Sequence, residues 1–202
     1  MRMTRQRGFD LSLAVLLLLA TLPLMLFLML LVRLDSPGRA IFTQSRTGRD
    51  GRKFTLYKLR SFHDHAHGIF LDEEIQWDDA RVTRVGQFLR RTKLDELPQL
   101  VNVLLGDMSL VGPRPDIPIQ VERYNDRDRQ RLTVRPGLTG LAQVSGNINL
   151  TWAQRIELDR WYVRHRSLRL DLAILAHTLP ILWRGERLQD DPLGIRRQVL
   201  GI

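Results

Sequence analysis

The feature that most restricts how this chain can fold is the run from Leu11 to Val32, 22 residues without a charged side chain and dominated by leucine. As a straight α-helix it would extend about 33 Å, close to the hydrocarbon thickness of a bilayer. A cleaved signal peptide is the first competitor, because Arg2, Arg5 and Arg7 resemble its basic head. The run exceeds the usual apolar core of roughly 7–15 residues and no small-residue cleavage site follows it, so a retained membrane element is expected. Pro23 falls near the middle of the run. It has no N–H to donate and crowds the carbonyl four residues back, which predicts a kink. Basic residues flank both ends, which frustrates the positive-inside preference of a single crossing. From these residues alone two readings stand open: a helix that enters, bends at Pro23 and returns to the same face, or a kinked single span.

The remaining length suits one globular domain with a real core. The formal charge is +9, from 31 basic and 22 acidic residues, and residues 33–60 hold eight of the cations against Asp35 and Asp50. Such a field attracts polyanions, whether nucleic acid, anionic headgroups or sugar nucleotides. The chain has no cysteine, which excludes disulfides, thiol nucleophiles and thiolate metal sites.

The segment 40–61 reads as a β-hairpin with its turn residues between Gly48 and Gly51. A period of two places Phe54, Leu56, Lys58 and Arg60 on one side of the second strand. Two cations following two apolar groups suit a strand that leaves the core and ends at an anion, or a solvated basic strand end. Residues 63–81 are polar, and His63, His65 and His67 there read as part of a solvated loop rather than a metal site. Arg81 to Thr92 reads as a basic amphipathic helix with Val82, Val85, Phe88 and Leu89 on its apolar side. A further helix carries Leu97, Leu100, Val101 and Leu104 at core spacing, with Pro98 in its first turn and Gly106 as its stop. Residues 135–147 read as glycine-rich loops with a short strand. Helices are expected at about 151–166 and 169–184, the second broken by Pro180 and suited to an interface or a core.

The third helix carries the chemistry. Asp95 and Glu96 are placed at its N-terminus, where free N–H groups and the positive dipole end favour phosphate and ionised carboxylates. Arg90, Arg91 and Lys93 lie just before the pair, and Arg114 follows between Pro113 and Pro115. A carboxylate kept ionised among cations can act as a nucleophile or hold a divalent metal. Arginine suits phosphate through its planar fork of donors. The plain structural alternative is an exposed helix start with a capping acid and surface arginines.

From about Phe9 to Trp183 the chain resembles the bacterial sugar transferases, monotopic phosphoglycosyl transferases that start glycan assembly on polyprenyl phosphate. The resemblance rests on RLDSPG (33–38), YKLRS (57–61), TRVGQFLRRTKLDELPQLVNVLLGDMSLVGPRP (83–115), RPGLTGLAQVSG (135–146) and the ELD of 157–159. Its length is that of the minimal catalytic unit. The resemblance implies an α+β fold, mostly helical and membrane-associated, with a small β-hairpin or sheet. It also implies division into a re-entrant N-terminal membrane helix (1–35) and a catalytic domain (36–202) on the cytoplasmic face of the bacterial inner membrane. Asp95 would be the nucleophile and Glu96 its partner, with Mg²⁺ at the pair and Pro23 at the helix bend. Lys58, Arg90 and Arg114 match family cations near the phosphates. The implied reaction moves a sugar 1-phosphate from a UDP-sugar to polyprenyl (undecaprenyl) phosphate through an aspartyl-phosphosugar, releasing UMP. The partners are then UDP-sugar, polyprenyl phosphate and membrane lipids, with no nucleic acid, and oligomeric state is left open.

Two positions depart from the family pattern. Leu22-Pro23 replaces the usual Ser-Pro and loses a hydroxyl at the bend, for which Thr21 is the nearest substitute. Arg60-Ser61-Phe62 replaces Arg-Ser-Met and puts a larger apolar group in a pocket wall. Two competing readings are a membrane-anchored basic protein that binds nucleic acid or anionic lipid without chemistry, and an inactive partner in a glycan-assembly complex. No nucleic-acid-binding motif supports the first, and the intact Asp95, Glu96 and Arg114 oppose the second.

Overall fold

The structure of the protein, a computed structural model, describes residues 2–63, 79–184 and 193–201. His65 and His67 therefore fall outside the described residues. Helix α1 (Arg2–Asp35) carries the apolar run and continues through Pro23, so any change of direction lies within the helix and not in a loop between two halves. Its ends are tied to one folded body. At the N-terminal end Arg7 donates to the carbonyls of Val103 and Leu104 at 2.7 and 3.2 Å. Asp10 accepts from the Ser109 hydroxyl at 2.7 Å. At the other end the buried Arg60 guanidinium donates to the carbonyls of Val32, Ser36 and Pro37. A cation there complements the carbonyls that a helix C-terminus leaves unpaired. Between these anchors no residue from Val15 to Leu24 is buried. Leu16 and Leu19 are 64% and 65% exposed, an apolar surface that needs a nonaqueous cover. Thr21 donates to the carbonyl of Leu17 at 2.7 Å. It does not serve the carbonyl of Leu19, the one that Pro23 deprives of a donor.

Strands β1 (Ile41–Thr47) and β2 (Lys53–Leu59) form the expected antiparallel hairpin, with Ile41 opposite Leu59. Asp50 and Gly51 take φ of 57° and 78° at its tip, conformations that Asp and Gly accept readily. Leu56 faces the main core while Leu59 joins a second cluster with Met25, Leu28 and Val32 of α1 and Leu89.

Helix α2 spans Arg84–Thr92, three residues later than the apolar pattern predicts. Thr83 caps it by accepting the Gly86 N–H at 2.9 Å, and Val82 instead bridges to Phe62. A Cβ on Gly86 would sit 2.1 Å from the Ser61 carbonyl, so only glycine lets α2 lie this close to the end of β2. Helix α3 is Gln99–Leu105, closed by Gly106 at φ 94°. Leu100 and Val103 enter the main core, and Asn102 is fully buried. Its side-chain amide donates to Thr55 O at 2.7 Å and accepts from Tyr57 N–H at 3.1 Å. Asn102 thus pairs with β2 as a neighbouring strand would, and holds α3 in register with the strand that carries Lys58.

Strand β3 (Ser109–Val111) pairs parallel with β4 (Gly137–Thr139). A Cβ on Gly137 would meet the Gly112 nitrogen at 2.1 Å, and this close approach fixes where the chain leaves β3 for Pro113. Helices α4 (Pro118–Glu122) and α5 (Leu141–Val144) are short. Helix α6 (Trp152–His165) starts with a capping box of Thr151 and Gln154. Helix α7 (Leu168–Arg184) continues through Pro180. The expected break is absent because Pro180 is exposed near the helix end, while Ile181 beyond it is buried. Helix α8 (Ile195–Leu200) packs on α6. The architecture is α+β and mostly helical, with two small sheets among the described residues.

Candidate active site

Asp95 and Glu96 do not open α3. They occupy a separate 3-10 turn, Leu94–Glu96, ahead of it. Lys93 ends α2 in the left-handed region at φ 58°, and Pro98 defers the α-helix to Gln99. The tighter turn lets Leu94 and Leu97, on either side of the pair, pack against the cluster built on Met25, Leu28 and Val32 of α1. The turn that carries the carboxylates is therefore anchored through these two leucines to a cluster that includes α1 residues. Both are buried, at 5% and 8% exposure.

Cations reach them from separate elements. Lys58 Nζ on β2 lies 2.8 Å from Glu96 Oε1 and 3.7 Å from Asp95 Oδ2. The strand therefore ends at an anion, and the solvated-end alternative is wrong for Lys58. Arg114 Nη2 lies 3.1 Å from the same Glu96 oxygen and remains 37% exposed, so part of its fork faces outward. Arg90 on α2 stacks over the Phe62 ring at 5.1 Å. The departure from the usual methionine thus gives Arg90 an aromatic platform. The structure brings together all five expected site residues, while Pro23 is exposed and outside the cluster.

The two carboxyls are held differently. Burial pushes Asp95 above the usual carboxylate range despite Lys58, and the charge on Glu96 adds to the rise. Burial acts on Glu96 too, but Arg114, Lys58 and Lys93 together hold it well below the usual range. The expectation that the helix start favours ionised carboxylates therefore fits Glu96 and not Asp95, which is the more basic partner. Asp95 Oδ1 is buried and has no hydrogen-bond partner among the described residues. An unsatisfied carboxylate oxygen costs energy unless a ligand or cation uses it. Mg²⁺ takes one or two carboxylates and completes its shell with water and substrate phosphate oxygens, so this pair fits it, with Lys58 holding the position of a cation.

Sequence reasoning missed the layer behind these residues. Arg46 on β1 donates to the Pro115 carbonyl at 3.1 Å, and burial and nearby Arg114 lower it to about 10. Arg131 donates to the Arg114 carbonyl at 2.9 Å and to Asp159 at 2.5 Å, and also bonds Asp116 and Tyr124. The Pro-Arg-Pro turn is thus clamped by two arginines, and Asp159 of the ELD segment acquires a partner. No spacing marks Arg131 among the arginines of 123–135, although the buried ELD aspartate implies some cation.

With the geometry established, the comparisons agree. The model for the family "Bacterial sugar transferase" matches residues 1–185. The uncharacterized sugar transferase EpsL of Bacillus subtilis is 41% identical over 189 residues, covering 93% of this chain and 91% of that protein. The UDP-glucose:undecaprenyl-phosphate glucose-1-phosphate transferase of Caulobacter vibrioides is 45% identical over 186 residues, covering 88% and 69%. The undecaprenyl-phosphate galactose phosphotransferase of Salmonella typhimurium is 40% identical over 195 residues, covering 90% of this chain and 41% of that longer protein. The chain belongs to the bacterial sugar transferase family, phosphoglycosyl transferases by class.

Proposed function

We propose that the protein transfers a sugar 1-phosphate from a UDP-sugar to polyprenyl phosphate, as the first membrane step of a bacterial glycan. The supporting observation is the buried, unequal pair Asp95–Glu96 ringed by Lys58, Arg90 and Arg114. Deprotonated Asp95 attacks the phosphorus that carries the sugar. The new O–P bond forms as the bridging P–O bond breaks, and UMP departs with the electron pair. An oxygen of polyprenyl phosphate then attacks the same phosphorus and Asp95 leaves as carboxylate. A raised pKa makes Asp95 the better nucleophile once ionised. Lys58, Arg90 and Arg114 offset the diphosphate charge, and displacement at phosphorus depends mainly on such neutralisation and alignment. Asp95 and Glu96 would hold Mg²⁺, which when bound adds charge neutralisation at the phosphate oxygens.

The membrane placement has its own support. A single span would put the ends of α1 on opposite sides of roughly 30 Å of hydrocarbon, yet both ends bond to one folded body and the exposed apolar residues lie between. We therefore read α1 as re-entrant, with the catalytic domain on the cytoplasmic face. Because the chain has no cysteine, this is directly testable with Gly8→Cys and Arg39→Cys variants. An impermeant maleimide should label both from the cytoplasmic side only, and opposite-side labelling sinks the re-entrant reading.

The reaction is tested by UMP release across a panel of UDP-sugars. A donor-treated sample quenched without lipid should gain the mass of a phosphosugar on Asp95. No adduct and no UMP with any donor would return the protein to the alternative of a basic membrane-anchored binder.

A further inference from the structure

At the far end of α3 from the carboxylates lies a small cleft of about 30 Å³, open to solvent. About 10 Å of helix separates the two places. Four arginines line it, from four segments distant in sequence: Arg7 of α1, Arg49 of the hairpin tip, Arg135 before β4 and Arg166 between α6 and α7. We propose that this cleft is a second phosphate site, distinct from the reacting phosphates. It would bind either the phosphate of an anionic lipid headgroup or a soluble phosphate.

Gathering guanidinium groups around one space is unfavourable unless an anion compensates. The protein supplies only part of that compensation. Arg7 is used on the carbonyls of Val103 and Leu104, and Arg135 donates from Nε to the Gly106 carbonyl at 2.7 Å. Those contacts explain why two arginines cluster at the negative end of α3. They leave both terminal nitrogens of Arg135 without a hydrogen-bond partner among the described residues, and Arg166 has no side-chain hydrogen bond among them either. Arg49 pairs with Asp50 at 3.2 Å. Asp10, on the wall, accepts from Ser109 and Leu110 and its charge also acts on Arg7 and Arg135, while Asp171 acts on Arg166, so these acids offset part of the positive charge of the four guanidinium groups. The open donors are guanidinium forks, whose planar geometry matches phosphate oxygens.

Position selects between phosphate sources. Arg7 and Asp10 immediately precede Leu11, where the apolar run begins. On the re-entrant reading, upon which this preference rests, the cleft opens at headgroup depth, where basic groups meet anionic lipid. A lipid phosphate held there would pin the N-terminal entry of α1, as Leu94 and Leu97 pin its far half to the carboxylate turn.

The test uses the full chain in neutral detergent and reads thermal melting. Phosphatidylglycerol is titrated against phosphatidylcholine in one arm, and inorganic phosphate is titrated in the other. In the wild type, phosphatidylglycerol should raise the melting temperature saturably. Arg135→Gln combined with Arg166→Gln should raise the half-saturating concentration at least tenfold, while the charge-matched Arg127→Gln, Arg129→Gln pair should leave it within twofold. The same variant pattern with inorganic phosphate alone would support the site and assign it to soluble phosphate. Equal weakening by both pairs, or none by either, would overturn it as diffuse attraction to a +9 protein. If the first pair folds poorly, Arg166→Gln alone gives up no hydrogen bond in the fold and carries the same comparison. The readout is binding, so it is independent of turnover, and the maleimide experiment separately reports a failure of the membrane reading.

Discussion

Two clusters of acids and bases meet at the Arg114 turn, one around Arg131 and one around Asp95 and Glu96. Around Arg131, the partners Asp116, Tyr124 and Asp159 consume both terminal guanidinium nitrogens, and Nε is left without a hydrogen-bond partner among the described residues. The two aspartates hold Arg131 above its ordinary pKa against the effect of burial. Around Asp95 the arrangement differs: the carboxylate oxygen Oδ1 has no hydrogen-bond partner among the described residues. A cluster closed in the sense that no buried carboxylate oxygen among the described residues lacks a partner gives shape, and one with such an oxygen open is available for chemistry.

The largest effect is expected from Asp95→Asn, which should lower UMP release at least a thousandfold, since loss of a nucleophile is rarely rescued by its neighbours. Its melting temperature should match or exceed that of the wild type, because a carboxyl disfavoured by burial is replaced by a neutral isostere. Equal turnover would remove Asp95 from the mechanism. Arg131→Met should show the opposite profile. It leaves Asp116 and Asp159 buried without their cation, which costs on the order of 3–5 kcal/mol. Urea unfolding should register the loss, and an unchanged midpoint would show that the closed cluster is dispensable.

The pH dependence of turnover discriminates further. Asp95 must be ionised to attack, so UMP release should rise with pH through its elevated pKa. Glu96→Gln removes a neighbouring negative charge and frees Lys58, so the acid limb should move to lower pH even as the maximal rate falls. A limb that stays in place would mean that another group controls it. Phe62→Met replaces the platform beneath Arg90 and should weaken donor binding by roughly 0.5–1 kcal/mol, seen as a rise in KM of several-fold at most with little change in kcat.

The smallest expected effect lies outside both clusters. Burial raises Asp171 to about 6, although Tyr162 and Gln6 donate to it. A carboxyl whose folded pKa exceeds its unfolded value of about 3.9 stabilises most below the unfolded value, and that contribution fades as pH rises through the folded one. Asp171→Asn should therefore melt like the wild type at pH 4 and slightly higher at pH 8. No difference at pH 8 would show that ionised Asp171 is well accommodated.

Much of this was readable along the chain. The hairpin at 40–61 shows in its period and in Asp50-Gly51, because turn chemistry is local. Helices at about 151–166 and 169–184 show in their apolar spacing. The carboxylate pair, Lys58, Arg90 and Arg114 carry motif-like neighbours. Other features were hidden for physical reasons. Asn102 looks like an ordinary polar residue in a helix, and only the approach of β2 reveals it as a substitute strand edge. The 3-10 turn at Leu94–Glu96 depends on Lys93 in the left-handed region, which no composition rule announces. Pro180 was over-read, because a proline breaks a helix only where neighbouring packing does not carry the chain past it.

The sequence by itself determined the long apolar helix, the other helical and hairpin segments, and which acids and bases can serve phosphate chemistry. Those properties reside in local runs of side chains and in the apolar length a bilayer demands. Tertiary structure alone decided that both ends of α1 return to one body and that the pKa of Glu96 falls while that of Asp95 rises. It also set Arg131 to clamp the Arg114 turn. Charge pairing and burial depend on distances between segments far apart along the chain, and those distances exist only once the chain has folded.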